Sequence, residues 1–307
     1  MPHAFHLDGR LALDPALLQL DAEQFAFLQS TTGIQDEEAL KRHILAAQAE
    51  AYAVFPYSSI RSFTFLRLGI SRNPVWRELL EVRQTLPHAL LLDVGCCLGT
   101  DIRKAVYDGW STKSVIATDI IPEFWELGRR LFCTQTSNMP SEDIRFIQGD
   151  ILDSSFFATV PPLPTEDCSI AHTPELDLKI ITTLTEVQHC VSAIHLSAIF
   201  HLFSEASQVY LARALAGLLA SHRGACIFGW SVASTGSGAE LVRFQNGVSH
   251  PCLWVHSPTS WIRLWGEVFG ETQIKTRADV RDFETDVGLV LESGLKPKML
   301  IWSVTRV

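Results

Sequence analysis

Asp93, Gly95, Gly99 and Asp101 fall within one short stretch, directly after the apolar run Leu90, Leu91 and Leu92. A short apolar run that ends in a glycine turn reads as a buried parallel strand entering a helix. Glycine lets the backbone turn tightly and lie close to a ligand. Amides that open the following helix can face an anionic group. The spacing is not the Gly-x-Gly-x-x-Gly of dinucleotide binders. Asp119 ends a second apolar run, Ser114 to Thr118, and an acid there is placed to accept the hydroxyls of a ribose. Asp150, followed by Ile151, lies just beyond a third run, Ile144 to Ile147. Ligands of open α/β sheets bind along such a carboxyl edge.

A second set of residues suits transfer chemistry. His195 ends the run Cys190 to His195, and His201 follows in Phe200-His201-Leu202-Phe203. Histidine is readily tuned to take a proton near neutral pH. A phenol needs such a base, whereas a carboxylate needs only positioning and desolvation. Either histidine also fits a hydrogen-bonded core residue. Arg61, after Tyr57 in an aromatic segment, can clamp the carboxylate of a cofactor or substrate, or stack on a surface ring. Trp230 and Trp254 can wall an apolar pocket or serve the core. The 11 histidines show no paired metal spacing, so no metal is expected. The 7 cysteines form no Cys-x-x-Cys pair and read as reduced, buried thiols.

The stretch Asp93-Val94-Gly95-Cys96-Cys97-Leu98-Gly99-Thr100-Asp101, with Arg103 to Gly109 after it, resembles class I S-adenosylmethionine-dependent methyltransferases. More narrowly it is similar to a fungal secondary-metabolite group that includes meroterpenoid methyltransferases. Phe124 to Gly128, Phe200 to Phe203 and His256-Ser257-Pro258 carry the same resemblance, which spans about residues 36 to 307. It implies an α/β, Rossmann-like seven-stranded sheet of order 3-2-1-4-5-7-6 with the last strand antiparallel. It implies S-adenosylmethionine as cofactor, leaving as S-adenosylhomocysteine. Asp93, Gly95 and Gly99 then hold the methionine part, with Cys97 a small residue in place of a middle glycine. Asp101 reaches the amino group or only satisfies the helix dipole. Asp119 takes the ribose, Ile120 packs on adenine, and Asp150 with Ile151 receives the adenine amino group or caps a turn. Tyr57 and Arg61 complete the cofactor set. His195 and His201 are the catalytic candidates, and Trp230 and Trp254 the substrate-wall candidates. The activity implied is O-methylation of an apolar secondary metabolite at a carboxylate or phenol. The alternatives are a cyclisation or rearrangement that uses the cofactor only as a fixed charge, and a non-catalytic adaptor.

The chain has 307 residues, 47% of them hydrophobic, and a net charge of −9. That is ample for a core and argues against nucleic-acid backbones and anionic membranes as partners. No apolar run spans a bilayer and no signal peptide is seen, so a cytoplasmic enzyme is expected, with a homodimer allowed. Residues 1–87 read as an N-terminal arm and helical cap or lid, and 88–307 as the methyltransferase domain. Helices are predicted over Leu17 to Leu28, Asp36 to Val54, Pro74 to Leu86, Thr100 to Asp108, Pro122 to Cys133, Leu176 to Leu184, Ser204 to Ala220 and Pro258 to Phe269. Further strands are expected over Ala225 to Trp230, Thr272 to Val280 and Met299 to Val304. Asp153 to Pro174 reads as a surface excursion, and residues 239–257 as a loop.

Overall fold

The computed structural model describes residues 11–86, 88–133, 143–165, 176–244, 252–284, 287 and 289–307. Five helices precede the sheet: α1 (Ala22–Thr32), α2 (Glu37–Val54), α3 (Ser58–Arg61), α4 (Gly69–Arg72) and α5 (Trp76–Thr85). Asp21 caps α1 in a capping box with Gln24, and Asp36 caps α2 through the Ala39 amide. Each cap satisfies an otherwise orphaned N–H and places a carboxylate at the positive end of its helix. α5 starts at Trp76, so Pro74 precedes the helix instead of opening it.

The sheet domain follows as β1 (Leu90–Val94), α6 (Thr100–Tyr107), β2 (Val115–Asp119), α7 (Pro122–Leu131), β3 (Arg145–Gln148), β4 (Val191–Ser197), α8 (Glu205–Leu218) and β5 (Cys226–Ala233). It closes with β6 (Glu240–Arg243), β7 (Cys252–Val255), α9 (Pro258–Phe269), β8 (Ile274–Asp282) and β9 (Lys298–Arg306). The seven-stranded sheet runs β3-β2-β1-β4-β5-β9-β8. With the separate β6–β7 pair set aside, this is the expected 3-2-1-4-5-7-6 order. β9 is antiparallel to both of its neighbours. β1 is buried along its whole length because helices cover both faces of a parallel sheet.

Three readings of the sequence need correction. Residues 176–184 form no helix; only a 3-10 turn, Leu184–Val187, follows them. Residues 239–257 contain the β6–β7 hairpin, whose alternation is too short to separate from loop composition. The excursion after Asp153 is partly core, since Phe156 and Phe157 are buried against the β4 side of the sheet. Residues 166–175 of that excursion lie outside the described residues.

The N-terminal helices are fastened to the sheet domain by a shared apolar cluster. Phe27, Leu40 and Ile44 pack with Leu98 of the glycine turn and with Phe124 and Leu131 of α7. Asn73, beyond α4, donates to the carbonyls of Gly229 at 3.2 Å and Trp302 at 3.0 Å. The cap is thereby tied to β5 and β9. No described helix is long and apolar enough to cross a membrane.

β4 and β5 approach closely at one point. A Cβ on Gly229 would lie 1.6 Å from the Leu196 carbonyl oxygen, a backbone atom that cannot swing away. Gly229→Ala is therefore expected to cost about 2–3 kcal/mol, as overpacking does in a close-packed core. Urea denaturation of the two proteins checks this.

Candidate active site

The tips of β1, β2 and β4 meet at one edge of the sheet, under the N-terminal helices. Parallel pairing sets this arrangement. Asp93 is in register with Ala117 of β2 and with His195 of β4. The edge opens into a cavity of about 1010 Å³. Its lining includes Asp93, Gly95, Asp101, Asp119, Ile120, Asp150, Ile151, Tyr57, His195, His201 and Trp230. Three other expected site residues lie outside the lining. Arg61 points the other way from α3 and donates from Nε to the Ala12 carbonyl at 3.0 Å. Trp254 lies outside the lining, although its β7 neighbours Cys252 and Leu253 are within it. Gly99 stands behind the turn, where a Cβ would meet Arg103 at 2.4 Å and Trp125 at 2.7 Å.

The turn is locked from inside. Gly95 and Gly99 both have φ of +68°, and Cys97 has φ of +50°. Cys97, which stands between the two glycines, thus holds a left-handed conformation that costs an ordinary side chain about 1 kcal/mol. The Gly95 and Cys96 amides both donate to the Thr118 carbonyl, and the Gly99 amide donates to Cys96. The Cys97 amide donates to Asp119 Oδ2 at 2.8 Å. These four amides are committed within the protein, so they do not face an anionic ligand. Arg103 braces the turn from below. It is fully buried, donates to the carbonyls of Leu98 at 2.9 Å and Gly99 at 3.1 Å, and sits 4.6 Å from the Trp125 ring centroid. Burial lowers its pKa to about 10, so it stays charged at neutral pH. Trp125 is a core residue here, stacked on Phe146 at 5.1 Å.

Four aspartates line the cavity with different partners. Asp119 accepts from the Cys97 amide and, through Oδ1, from the Ile121 amide at 3.0 Å. Burial nevertheless raises its pKa to about 6, with those hydrogen bonds opposing the shift. Asp101 accepts from the Ile70 amide at 2.9 Å, which pins α4 to the start of α6. Burial raises its pKa, and the charge of Asp93 adds to the effect. Asp93 is 2% exposed and bonds through Oδ1 to His195 Nδ1 at 2.7 Å. Its Oδ2 is buried without a protein partner, as is Thr100 Oγ1 on the same cavity wall. Asp150 is exposed and takes the Leu152 amide at 2.9 Å in a local turn. Ile120 is 52% exposed, an apolar side chain held at the cavity's mouth.

His195 is 1% exposed, and both ring nitrogens are engaged: Nδ1 with Asp93, and Nε2 with Ser197 Oγ at 2.8 Å. Burial alone disfavours the imidazolium, but Asp101 and Asp93 outweigh it and move the His195 pKa up. His201 accepts the Val232 amide at Nδ1, 3.1 Å, which fixes the neutral tautomer with the proton on Nε2. Its ring tilts toward Trp230 at 6.4 Å. Tyr57 lies beside Asp119, and burial together with that charge raises its phenol pKa.

Two residues of the site escape sequence reasoning. Ser197 and Arg67 both line the cavity. Arg67 follows a left-handed Phe63 and precedes a left-handed Leu68, so its loop path is not readable from propensity. Its Nη2 donates to Glu284 at 3.2 Å, its Nε is buried without a partner, and its guanidinium lies 5.9 Å from the Trp230 ring. Among the described residues no group of three or more His, Cys, Asp or Glu is arranged to hold a metal.

The strand order and its carboxyl edge are those of the class I methyltransferase fold. Residues 13–66 match the meroterpenoid methyltransferase N-terminal domain family. The chain is 28% identical to Methyltransferase adrK of Penicillium roqueforti over 97% of this chain and 94% of that one. It is 26% identical to Asnovolin E/Chermesin D methyltransferase nvfJ of Aspergillus novofumigatus, over 92% and 87%. It is 27% identical to O-methyltransferase atr3 of Stereocaulon alpinum, over 80% and 61%. The protein is thus a methyltransferase that resembles, within its class, the fungal secondary-metabolite enzymes of the meroterpenoid kind.

The raised pKa of Asp119 predicts a measurable trade between stability and function. A carboxyl whose folded pKa is about 6, against 3.8 as reference, favours folding most below about pH 4. That contribution is lost as pH rises through 6. Asp119→Asn removes this titration at the cost of one of the two backbone bonds, so its stability is expected to change less than that of wild type between about pH 4.5 and about pH 7. Urea unfolding of both proteins at about pH 7 and about pH 4.5 measures this.

Proposed function

We propose that the protein is an S-adenosylmethionine-dependent O-methyltransferase that acts on an apolar small molecule bearing a carboxylate or phenol. One observation carries this reading: the cavity lining is chemically mixed. Asp93, Asp101 and Asp119 border the glycine turn, and the same lining holds Arg67, His201, Trp230 and apolar side chains. Buried carboxylates with an unpaired oxygen suit a ligand carrying ammonium and ribose hydroxyl groups. The unpartnered Asp93 Oδ2 and Thr100 Oγ1 fit the polar groups of such a ligand. When bound, S-adenosylmethionine supplies a methyl group on a positively charged sulfur.

The chain's own residues then have separable tasks. Asp119 takes the ribose while keeping the turn closed through Cys97. Asp93 and Asp101 offset the positive charge of the methionine part. Gly95 leaves room beside Ile199, since a Cβ there would come within 2.3 Å of its side chain. Arg67 serves as the carboxylate clamp expected of Arg61, because its Nε is free of protein partners and it lines the cavity. Ile120, Ile151 and Tyr57 would bracket the base and sugar, and Asp150 would receive the base's amino group. Trp230 and the apolar walls exclude water, which strengthens every charge interaction inside. The names of the similar proteins, adrK, nvfJ and atr3, support a methyl transfer in secondary metabolism.

Titration calorimetry tests the cofactor. S-adenosylmethionine and S-adenosylhomocysteine are expected to bind wild type at micromolar concentration. Asp119→Ala should abolish binding, and Arg67→Gln should weaken it about tenfold or more. Absence of binding to either ligand by a well-folded sample refutes the proposal. Formation of S-adenosylhomocysteine with a panel of apolar carboxylic acids and phenols then identifies the acceptor class.

A further inference from the structure

His195 is enclosed. Its Nδ1 is held by Asp93 and its Nε2 by Ser197, and only 1% of its surface is exposed. Its one nitrogen not taken by Asp93 is occupied by the Ser197 hydroxyl. Ser197 lines the cavity as the last residue of β4. His195 and Ser197 are two apart on one strand and so share a face. The chain then turns away at Ala198, whose φ is +59°. The space in front of the hydroxyl is kept open by Gly69. A Cβ at that position would lie 3.1 Å from Ser197 Oγ and 3.4 Å from Trp230. Asp93 and Ser197 thus reach opposite nitrogens of one imidazole, and it is the Ser197 hydroxyl that lies beside Gly69 and Trp230 on the cavity wall.

We propose that Ser197 is the side chain that meets the acceptor oxygen, and that His195 and Asp93 act through it to hold that oxygen in its ionised form. This rests on the O-methyltransferase reading above. A phenol passes its proton to Ser197 Oγ as Ser197 passes its own hydroxyl proton to His195 Nε2. The imidazolium so formed lies between the Asp93 carboxylate and the Ser197 oxygen, and the Ser197 O–H donates to the phenolate. A carboxylate arrives already ionised and meets the same donor once His195 has taken its second proton from solvent. In both cases the imidazole ends with a proton on each nitrogen, Nδ1 donating to Asp93 and Nε2 to Ser197 Oγ, and one oxyanion accepts from Ser197. Asp93 from β1 and Asp101 from α6 are the charged groups that favour the imidazolium. His195 and Asp93 are positioning residues in this scheme, and Ser197 is the catalytic contact.

The test uses 4-nitrophenol as a chromophoric probe, added to the protein loaded with S-adenosylhomocysteine at a pH below the phenol's own pKa. Wild type is expected to bind it with the absorption band of the nitrophenolate. Ser197→Ala should lose that band while binding S-adenosylhomocysteine with unchanged affinity by calorimetry. Ser197→Thr, which keeps the hydroxyl, should restore it. In methyl transfer to an acceptor from the panel, Ser197→Ala should lower kcat by about 100-fold, the scale of general acid–base assistance. An equal band in Ser197→Ala, or none in a wild type that binds S-adenosylhomocysteine, overturns the proposal. Failure of S-adenosylhomocysteine to bind removes the cofactor reading beneath it, and calorimetry separates that failure from the other two.

Discussion

The Asp93, Asp101 and Asp119 carboxylates converge on one edge of the sheet and must be held in a cavity walled largely by apolar side chains. An unpaired buried carboxylate would be neutralised or would unfold the site. Each therefore recruits a partner, and each partner fixes a different part of the protein. Asp119 takes the Cys97 and Ile121 amides, which closes the glycine turn and starts α7. Asp101 takes the Ile70 amide, which fastens α4 and its flanking loop. Asp93 takes His195, which orders the tip of β4. The acids needed for a cationic ligand are in this way also the groups that assemble the walls around it.

Compensation is incomplete where function needs it to be. Asp93 keeps one oxygen unpaired, and Asp119 keeps a pKa near 6 despite two backbone donors. Strain gathers at the same place. Cys97 and Ala198 line the cavity in left-handed conformations that cost ordinary residues about 1–3 kcal/mol each. Leu68 and Phe63 carry similar angles on either side of Arg67. The N-terminal helices offset some of this cost by burying Phe27, Leu40 and Ile44 against Leu98 and α7. A cap that carries part of the site's lining is also part of its stabilising core.

Much of the sheet was legible because parallel strands announce themselves. β1 and β4 are continuous apolar runs that end in polar tips, and β2 ends in Asp119. The acids at those tips follow from the rule that ligands sit at the carboxyl edge. The hairpin of β6 and β7 was not legible, since four-residue strands beside a loop give too little alternation to read. Arg61 and Arg67 show the same limit at one residue. Both lie in an aromatic stretch, but only the turn through Phe63 and Leu68 brings Arg67 to the cavity.

The sequence alone determined the layered α/β architecture, the glycine turn and the acids at its edge. These depend on local hydrophobic period and on residues such as Asp119 that must follow a strand. The tertiary structure decided which groups have free atoms. Asp93 and His195 are about a hundred positions apart in the chain and become partners only because parallel register sets their tips side by side. That pairing takes one nitrogen of the histidine, and Ser197, a residue without a sequence signal, takes the other from the cavity wall. Hydrogen-bond satisfaction is a property of three-dimensional neighbours, and no spacing along one chain records it.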